Sequence, residues 1–343
     1  MIKTFKFRLK SKSLSRLKVM ARDVNFVWNY CNDTSVQYLD KRLKWLSYID
    51  LQKLTAGCSS DLSINAQSIQ AITHQYTQRR YQFKKRKLAW RSVRSLGWIP
   101  FNAQTASVKG DNVNYNGNQF RFWKSRELEG KLKAGSFSQN AKGQWFVNLV
   151  CEVSKPERVI DKRVVGIDLG LKTLATLSDG SVIHRDNLNK KYADRLATAQ
   201  RARKKKQITS IHTKIKNVRK DFNHKETTKL VNNYGTIIVG NVSSSKLKQT
   251  RFAKSVSDAG WASFKSMLTY KAIALGVEYK EINESFSTVT CSACFERTGP
   301  RGLSALGVRE WTCPCGVSHN RDVNAAKNIL RFGCESLLKG ISQ

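Results

Sequence analysis

Four cysteines near the C-terminal end, Cys291, Cys294, Cys313 and Cys315, stand in two close pairs with eighteen residues between them. Four thiolates spaced this way suit tetrahedral zinc in a small ribbon, although the second pair, C-x-C, is tighter than the usual C-x-x-C. His319 follows within a few residues and is the reserve ligand should the cramped pair fall short. Two acids also stand where oxygen donors are useful. Asp168 lies near the end of the apolar run Val164–Leu169, two residues before Gly170, and Asp322 opens the stretch Asp322–Leu330. Carboxylates in such places can hold a divalent cation; the plain alternative for Asp168 is an ordinary strand-end turn residue.

The remaining cysteines, Cys31, Cys58, Cys151 and Cys334, are scattered, and the opening MIKTFKFRLKSK contains no apolar leader. A metal cluster in a reducing cytoplasm, near the nucleoid, is expected rather than a disulfide framework. The 343 residues carry 61 Lys plus Arg against 25 Asp plus Glu, a formal net charge of +36. Such a charge repels itself in a compact fold unless a polyanion neutralises it, which argues against a metabolic enzyme and for nucleic acid as partner. Hydrophobic content of 40% and eight Trp indicate a folded chain, and no run of eighteen apolar residues could cross a membrane.

These side chains need elements to position them. Residues 1–10 alternate apolar and basic, a strand pattern; residues 13–45 have helical periodicity. A second helix starts near Ala66, its apolar stripe running Ile69, Ile72, Tyr76, Phe83 and Trp90. Arg79, Arg80, Lys84, Lys85, Arg86, Lys87, Arg91 and Arg94 share this region with no acid between them: a phosphate-tracking face, or a solvated one. From Pro100 to Val153 the pattern is β, so the first strand and this region read as a barrel interrupted by a helical insertion. After a linker around Pro156–Lys162 come three short strands, at Val164–Leu169, Leu171–Ser178 and Ser181–Ile183. Arg185–Lys220 then reads as one long basic helix that includes Arg203, Lys204, Lys205 and Lys206. Asp258 reads as the cap of a helix over Ala262–Leu275. An acid on the central strand of such a meander is how RNase H-like folds hold a divalent metal, although sugar kinases and actin-like ATPases share the IDLG pattern.

The motifs GIDLGLKTLATLSDG, YGTIIVGNV, FSTVTCSAC and NRDVNAAKNIL, in this order, make Val164–Leu330 resemble the RuvC-like nuclease domain, with inserted zinc ribbon, of the TnpB (OrfB-type) family. That family is related to compact type V CRISPR effectors and to Fanzor proteins. The resemblance implies an α/β, RNase H-like (RuvC) nuclease domain with a zinc ribbon insertion, preceded by a β-barrel (wedge) domain carrying a helical recognition insertion. The corresponding boundaries are 1–12 and 98–157 for the barrel, 13–97 for the helices, 162–287 and 318–333 for the nuclease, 288–317 for the ribbon and 334–343 for a tail. It further implies magnesium-dependent cleavage of double-stranded target DNA beside a short flanking motif, directed by a transposon-encoded, omega-type guide RNA. The basic groups Arg79, Arg80, Lys84, Lys85, Arg86, Lys87 and Arg203–Lys206 would then contact nucleic acid.

One position departs from the pattern. The family places an acid at the end of the strand after the long helix; here Thr236–Val239 is followed by Gly240. Two-metal hydrolysis needs about three or four carboxylates. Glu278–Ile282 reads as the neighbouring strand, and neighbouring strands lie about 4.8 Å apart, so a Glu from its end can enter the space left at Gly240. Glu284 has that position, and some Fanzor and TnpB-like proteins resemble this shifted arrangement. The expected magnesium ligands are therefore Asp168, Glu284 and Asp322. Glu281, three residues earlier, points to the opposite face of a regular strand. The alternative is a nuclease-dead, RNA-guided DNA-binding transcriptional repressor in which Glu284 is only a solvated acid; a guide-independent, structure-specific nuclease is a further rival. Asn324 and Asn328 have either a metal- or phosphate-positioning role or an ordinary polar one.

Overall fold

The computed structural model describes residues 1–10, 14–157, 163–242, 259–302 and 304–341. Asp258 and the linker residues 158–162 lie outside the described residues. The chain divides into two units, Met1–Ser154 and Lys155–Gln343.

In the first unit, β1 (Ile2–Arg8) buries Phe5 and Phe7 and turns Lys6 and Arg8 outward, as its alternation requires. It pairs antiparallel with β7 (Trp145–Glu152), in a sheet ordered β1-β7-β6-β2 with β2 (Trp98–Asn102) and β6 (Lys131–Gln139). A second sheet of β3 (Ala106–Lys109), β4 (Asn112–Tyr115) and β5 (Asn118–Arg121) meets it through a bridge from Leu9 to Phe122. Phe7, Phe101, Phe120, Phe122 and Phe137 fill one aromatic core between them.

The helical insertion holds α1 (Leu14–Arg42), α2 (Tyr48–Leu54) and α3 (Ala66–Phe83). Asn65 caps α3 by accepting from the Ser68 amide. This helix ends at Phe83, with Lys84 left-handed at φ 50°, so Trp90 does not extend its apolar stripe and the eight cations do not share one helical face. Continuing the helix would stack Arg80 on Lys84 and Lys84 on Lys87, like charges one turn apart. Residues 84–97 instead run as an irregular strap.

The second unit is a five-stranded sheet ordered β10-β9-β8-β11-β12. Its antiparallel part is β8 (Arg163–Leu169), β9 (Ala175–Leu177) and β10 (Val182–Ile183); β11 (Tyr234–Gly240) and β12 (Glu278–Ile282) add in parallel. This antiparallel meander followed by parallel strands is the RNase H-like, RuvC-type arrangement. The single long basic helix expected over Arg185–Lys220 is divided into α4 (Leu188–Lys191), α5 (Ala193–Arg201) and α6 (Lys205–Asn233). The break falls at Arg203, which is left-handed at φ 51°, inside four consecutive cations that a continuous helix would crowd together. After β11 comes α7 (Trp261–Leu275), then β12, the cysteine-bearing segment with its hairpin β13 (Glu310–Thr312) and β14 (Ser318–Asn320), and finally α8 (Arg321–Ile341). Residues 334–341 continue α8 rather than forming a separate tail, because Cys334 and Leu337 pack toward Ile238, Ile282 and Ile329. No helix among the described residues is long and apolar enough to cross a membrane.

Candidate functional site

Asp168 lies between buried Ile167 and Leu169 on β8, so its side chain takes the opposite face of the sheet, the one against α8. A close backbone approach fixes that packing: a Cβ on Gly166 would stand 2.2 Å from the Ala326 carbonyl oxygen. Asp322 is one helical turn before Ala326, and Asp168 is two strand residues beyond Gly166, each a rise of about 6 Å. The two acids are thereby brought to the same end of the sheet. Asn320 caps α8, accepting from the Asp322 and Val323 amides.

Glu284 arrives from the adjoining strand. Gly240 is in register with Ile282, and the Asn241 amide donates to the Ile282 carbonyl. A Cβ on Gly240 would lie 2.3 Å from Glu284 Oε2 and 3.1 Å from Ile329 Cδ1. The glutamate occupies the volume that any side chain at Gly240 would need. The Val242 amide favours its charged form, and Oε2 is buried with no hydrogen-bond partner among the described residues. Burial pushes the Glu284 carboxyl up from its ordinary range, against the pull of Lys265 and the Val242 amide. Asp168 is pushed to about 7 by burial first, then by the negative charges of Glu284 and Asp322, partly offset by Arg321 and Arg309. Asp168 thus feels the charge of both other acids.

They do not close as tightly as the cysteines. Among the described residues, the group of possible metal ligands whose donor atoms all lie within 4.8 Å of one another is Cys291, Cys294, Cys313 and Cys315. Sulfur separations are 3.8 Å for Cys291–Cys315 and 3.6 Å for Cys294–Cys313. A tetrahedron with Zn–S bonds of about 2.3 Å has edges of ~3.8 Å, so this donor set fits structural zinc despite the C-x-C spacing. The Thr298 hydroxyl beside Cys313 draws that thiol down to about 6, toward the thiolate a metal requires. His319 is outside this four-sulfur group; its Nε2 is 3.0 Å from Cys291 Sγ and its ring packs on Trp311.

Other residues singled out in the sequence fall elsewhere. Glu281 pairs with Lys265 at 2.7 Å and accepts from the Tyr279 hydroxyl. Asn324 and Asn328 are buried and donate to the Ser287 and Thr290 carbonyls, and Asn324 also accepts from the Ser292 amide. They tie α8 to the turn that follows Glu284. Arg80 donates to the Leu46 carbonyl and stacks over Trp45, and Arg86 pairs with Asp40. These two are committed within the fold. Arg79 reaches Gln82, Lys87 lies over Trp90, and Lys84, Lys85 and Arg203–Lys206 are exposed.

Arg309 is the residue that sequence reasoning missed: its Nη1 lies 3.0 Å from both Asp322 oxygens. The hairpin register Glu310↔Asn320 puts it there. Counting back across that turn from Asn320 is the one sequence signal that finds it.

Comparison with known proteins agrees with this architecture. Residues 148–251 match the "Probable transposase" family model (OrfB_IS605), and residues 261–329 match the Cas12f1-like TNB domain. Two curated relatives carry the name "Putative RNA-guided DNA endonuclease". The one from Streptomyces pristinaespiralis is 38% identical over 57% of this chain and 52% of its own length. InsQ of Escherichia coli K12 is 29% identical over 62% and 60% respectively. The chain thus spans between half and three fifths of these relatives. In fold, it is similar to Cas12f1 as seen in a cryo-EM complex with sgRNA and target DNA: TM-score 0.61 and 15% identity over 93% of this chain and 82% of that one. Sheet order, ribbon and acids define a RuvC-type domain with an inserted zinc-binding module. Over residues 148–251 and 261–329 the chain is similar to OrfB-type transposase and Cas12f1-like proteins.

Proposed function

We propose that the protein is an RNA-guided DNA endonuclease of TnpB type, in which Asp168, Glu284 and Asp322 hold magnesium and cut target DNA beside a short flanking motif. The observation that carries this reading is the Glu284 carboxylate lying in the side-chain space of Gly240. A buried oxygen with no partner among the described residues, next to two further acids, one held up to about 7, is a donor set suited to a hard divalent cation. When bound, magnesium supplies charge stabilisation at the phosphate and a more acidic water. The chain does the rest. Asp168 gives up its proton, Glu284 sits in the side-chain space left at Gly240, and Arg309 keeps Asp322 oriented from the ribbon. The net charge of +36 supplies the counter-ions for a guide RNA and a DNA duplex. A cytoplasmic, nucleoid-associated location follows from the same reading.

The test uses protein purified with its own RNA, magnesium, and plasmids carrying a guide-matched target and randomised flanks. Wild type is expected to cleave, and Glu284→Ala to lose at least ~100-fold in rate, the scale of removing one group that stabilises transition-state charge. Equal cleavage by the variant overturns the Glu284 assignment. No cleavage by wild type under any flank returns the protein to the nuclease-dead repressor.

A further inference from the structure

In the N-terminal unit, a cavity of about 570 Å³ opens between α1, the end of α3 and the strap after it. Its walls are largely apolar, with Trp28, Phe83, Leu88 and Trp90 prominent among them, while Arg79, Lys85 and Arg91 bring positive charge. Among the described residues no carboxylate lines it. Trp90 and Phe83 are about half exposed, at 56% and 54%. Aromatic faces open to solvent beside uncompensated cations differ from an ordinary solvated surface, where opposite charges intersperse.

The strap is held rigidly, as a binding wall must be. Asn29 and Asn32 project from α1 and pair with its backbone as another strand would. Asn29 donates to the Arg91 carbonyl and accepts its amide; Asn32 does the same for Leu88. Asn25 adds a bond to the Ser92 carbonyl, and the Trp28 indole donates to Ala89. Arg91 lies over the Trp28 ring, its Nε on Asn25 and Nη2 on the Leu96 carbonyl, with no ion-pair partner among the described residues.

We infer that this cavity receives an unpaired base of a bound RNA, stacked against Trp90, with Arg79 and Lys85 on the adjoining phosphates. The volume lies within the usual range for small-ligand sites. Flat aromatic walls select a flat, polarisable ring, and the cations select the phosphates attached to it. RNA is favoured over target DNA because loops and bulges present bases already unstacked, whereas a duplex must spend several kcal/mol to extrude one. The inference rests on the RNA-binding part of the proposed function, not on the nuclease part.

The experiment measures binding of full-length protein, stripped of co-purified RNA, to labelled rU12, dT12 and a blunt RNA duplex across a salt series. Trp90→Ala is expected to weaken rU12 about 5- to 100-fold, leaving the duplex within twofold and the salt slope unchanged. Trp90→Phe should recover most of the loss, and Lys85→Ala should lower the salt slope for rU12 by about one. Wild-type affinity for rU12 in Trp90→Ala, a loss shared equally with the duplex, or a larger loss on dT12 overturns the inference. Guided cleavage is scored on portions of the same proteins set aside before the RNA is stripped. Its absence in wild type refutes the nuclease reading alone; its presence together with indifference of rU12 to Trp90 refutes the pocket alone.

Discussion

The four-cysteine group and the proposed acidic site are both candidate sets of metal ligands, yet they are built in opposite ways. Four thiols from one short segment gather within 4.8 Å of one another, whereas the three carboxylates come from β8, the turn after β12 and the start of α8, and stay further apart. Protonated thiols approach without Coulomb cost. Carboxylates do not: burial first, and then the charges of Glu284 and Asp322, hold the Asp168 carboxyl at about 7, and Arg309 holds Asp322. A local ligand set organises itself; a dispersed one depends on sheet register and on borrowed cations until a metal supplies the charge.

Removing zinc separates the two halves most strongly. Structural zinc contributes folding energy outright, on the order of 10 kcal/mol in small modules. Cys294→Ser or strong chelation should therefore unfold the ribbon and expose Trp311, while β8, β11 and β12 keep their protection from amide hydrogen exchange. Simultaneous loss of protection across the sheet would show the two sites to be one cooperative unit.

Proton linkage gives a smaller effect, and its sign is definite. Asp168 ionises near 3.8 when unfolded and about 7 when folded, so the folded state binds the proton more tightly. The stability this confers is complete below about pH 4 and is lost as pH rises to about 7, a difference on the order of a few kcal/mol. Denaturant melts of metal-free wild type should lose stability across that window relative to Asp168→Asn, and added magnesium should reverse the loss. Parallel pH profiles for the two proteins would contradict the placement of Asp168 among like charges. Smallest of all is Glu281→Gln. Its partly exposed pair with Lys265 should cost at most about 1 kcal/mol in a melt, and guided cleavage should stay within about threefold of wild type; a larger fall would move the acidic site toward Glu281.

Much of this is legible in the residues. The largely apolar stretches Val164–Leu169 and Thr236–Val239 announce buried strands, and the order of strands puts Glu284 beside Gly240. The cysteine spacing gives the ribbon. What local periodicity misses are features decided by charge crowding or tertiary pairing. Two of these are the ends of α3 and α5, where runs of cations stop the helix. The others are the Arg309–Asp322 pair, made by a hairpin, and the binding of Asn324 and Asn328 to the turn after Glu284 rather than to a ligand.

The central claim is that Glu284 stands in for an acid at position 240. Moving the acid back tests it most directly. With the cleavage rate of RNA-loaded protein as readout, Gly240→Glu alone should be inactive, because its side chain collides with Glu284. Glu284→Ala alone should also be inactive. The double variant Gly240→Glu/Glu284→Ala should regain activity at least ~10-fold above either single change. A double variant no better than the worse single one, alongside correctly folded protein, would contradict the account.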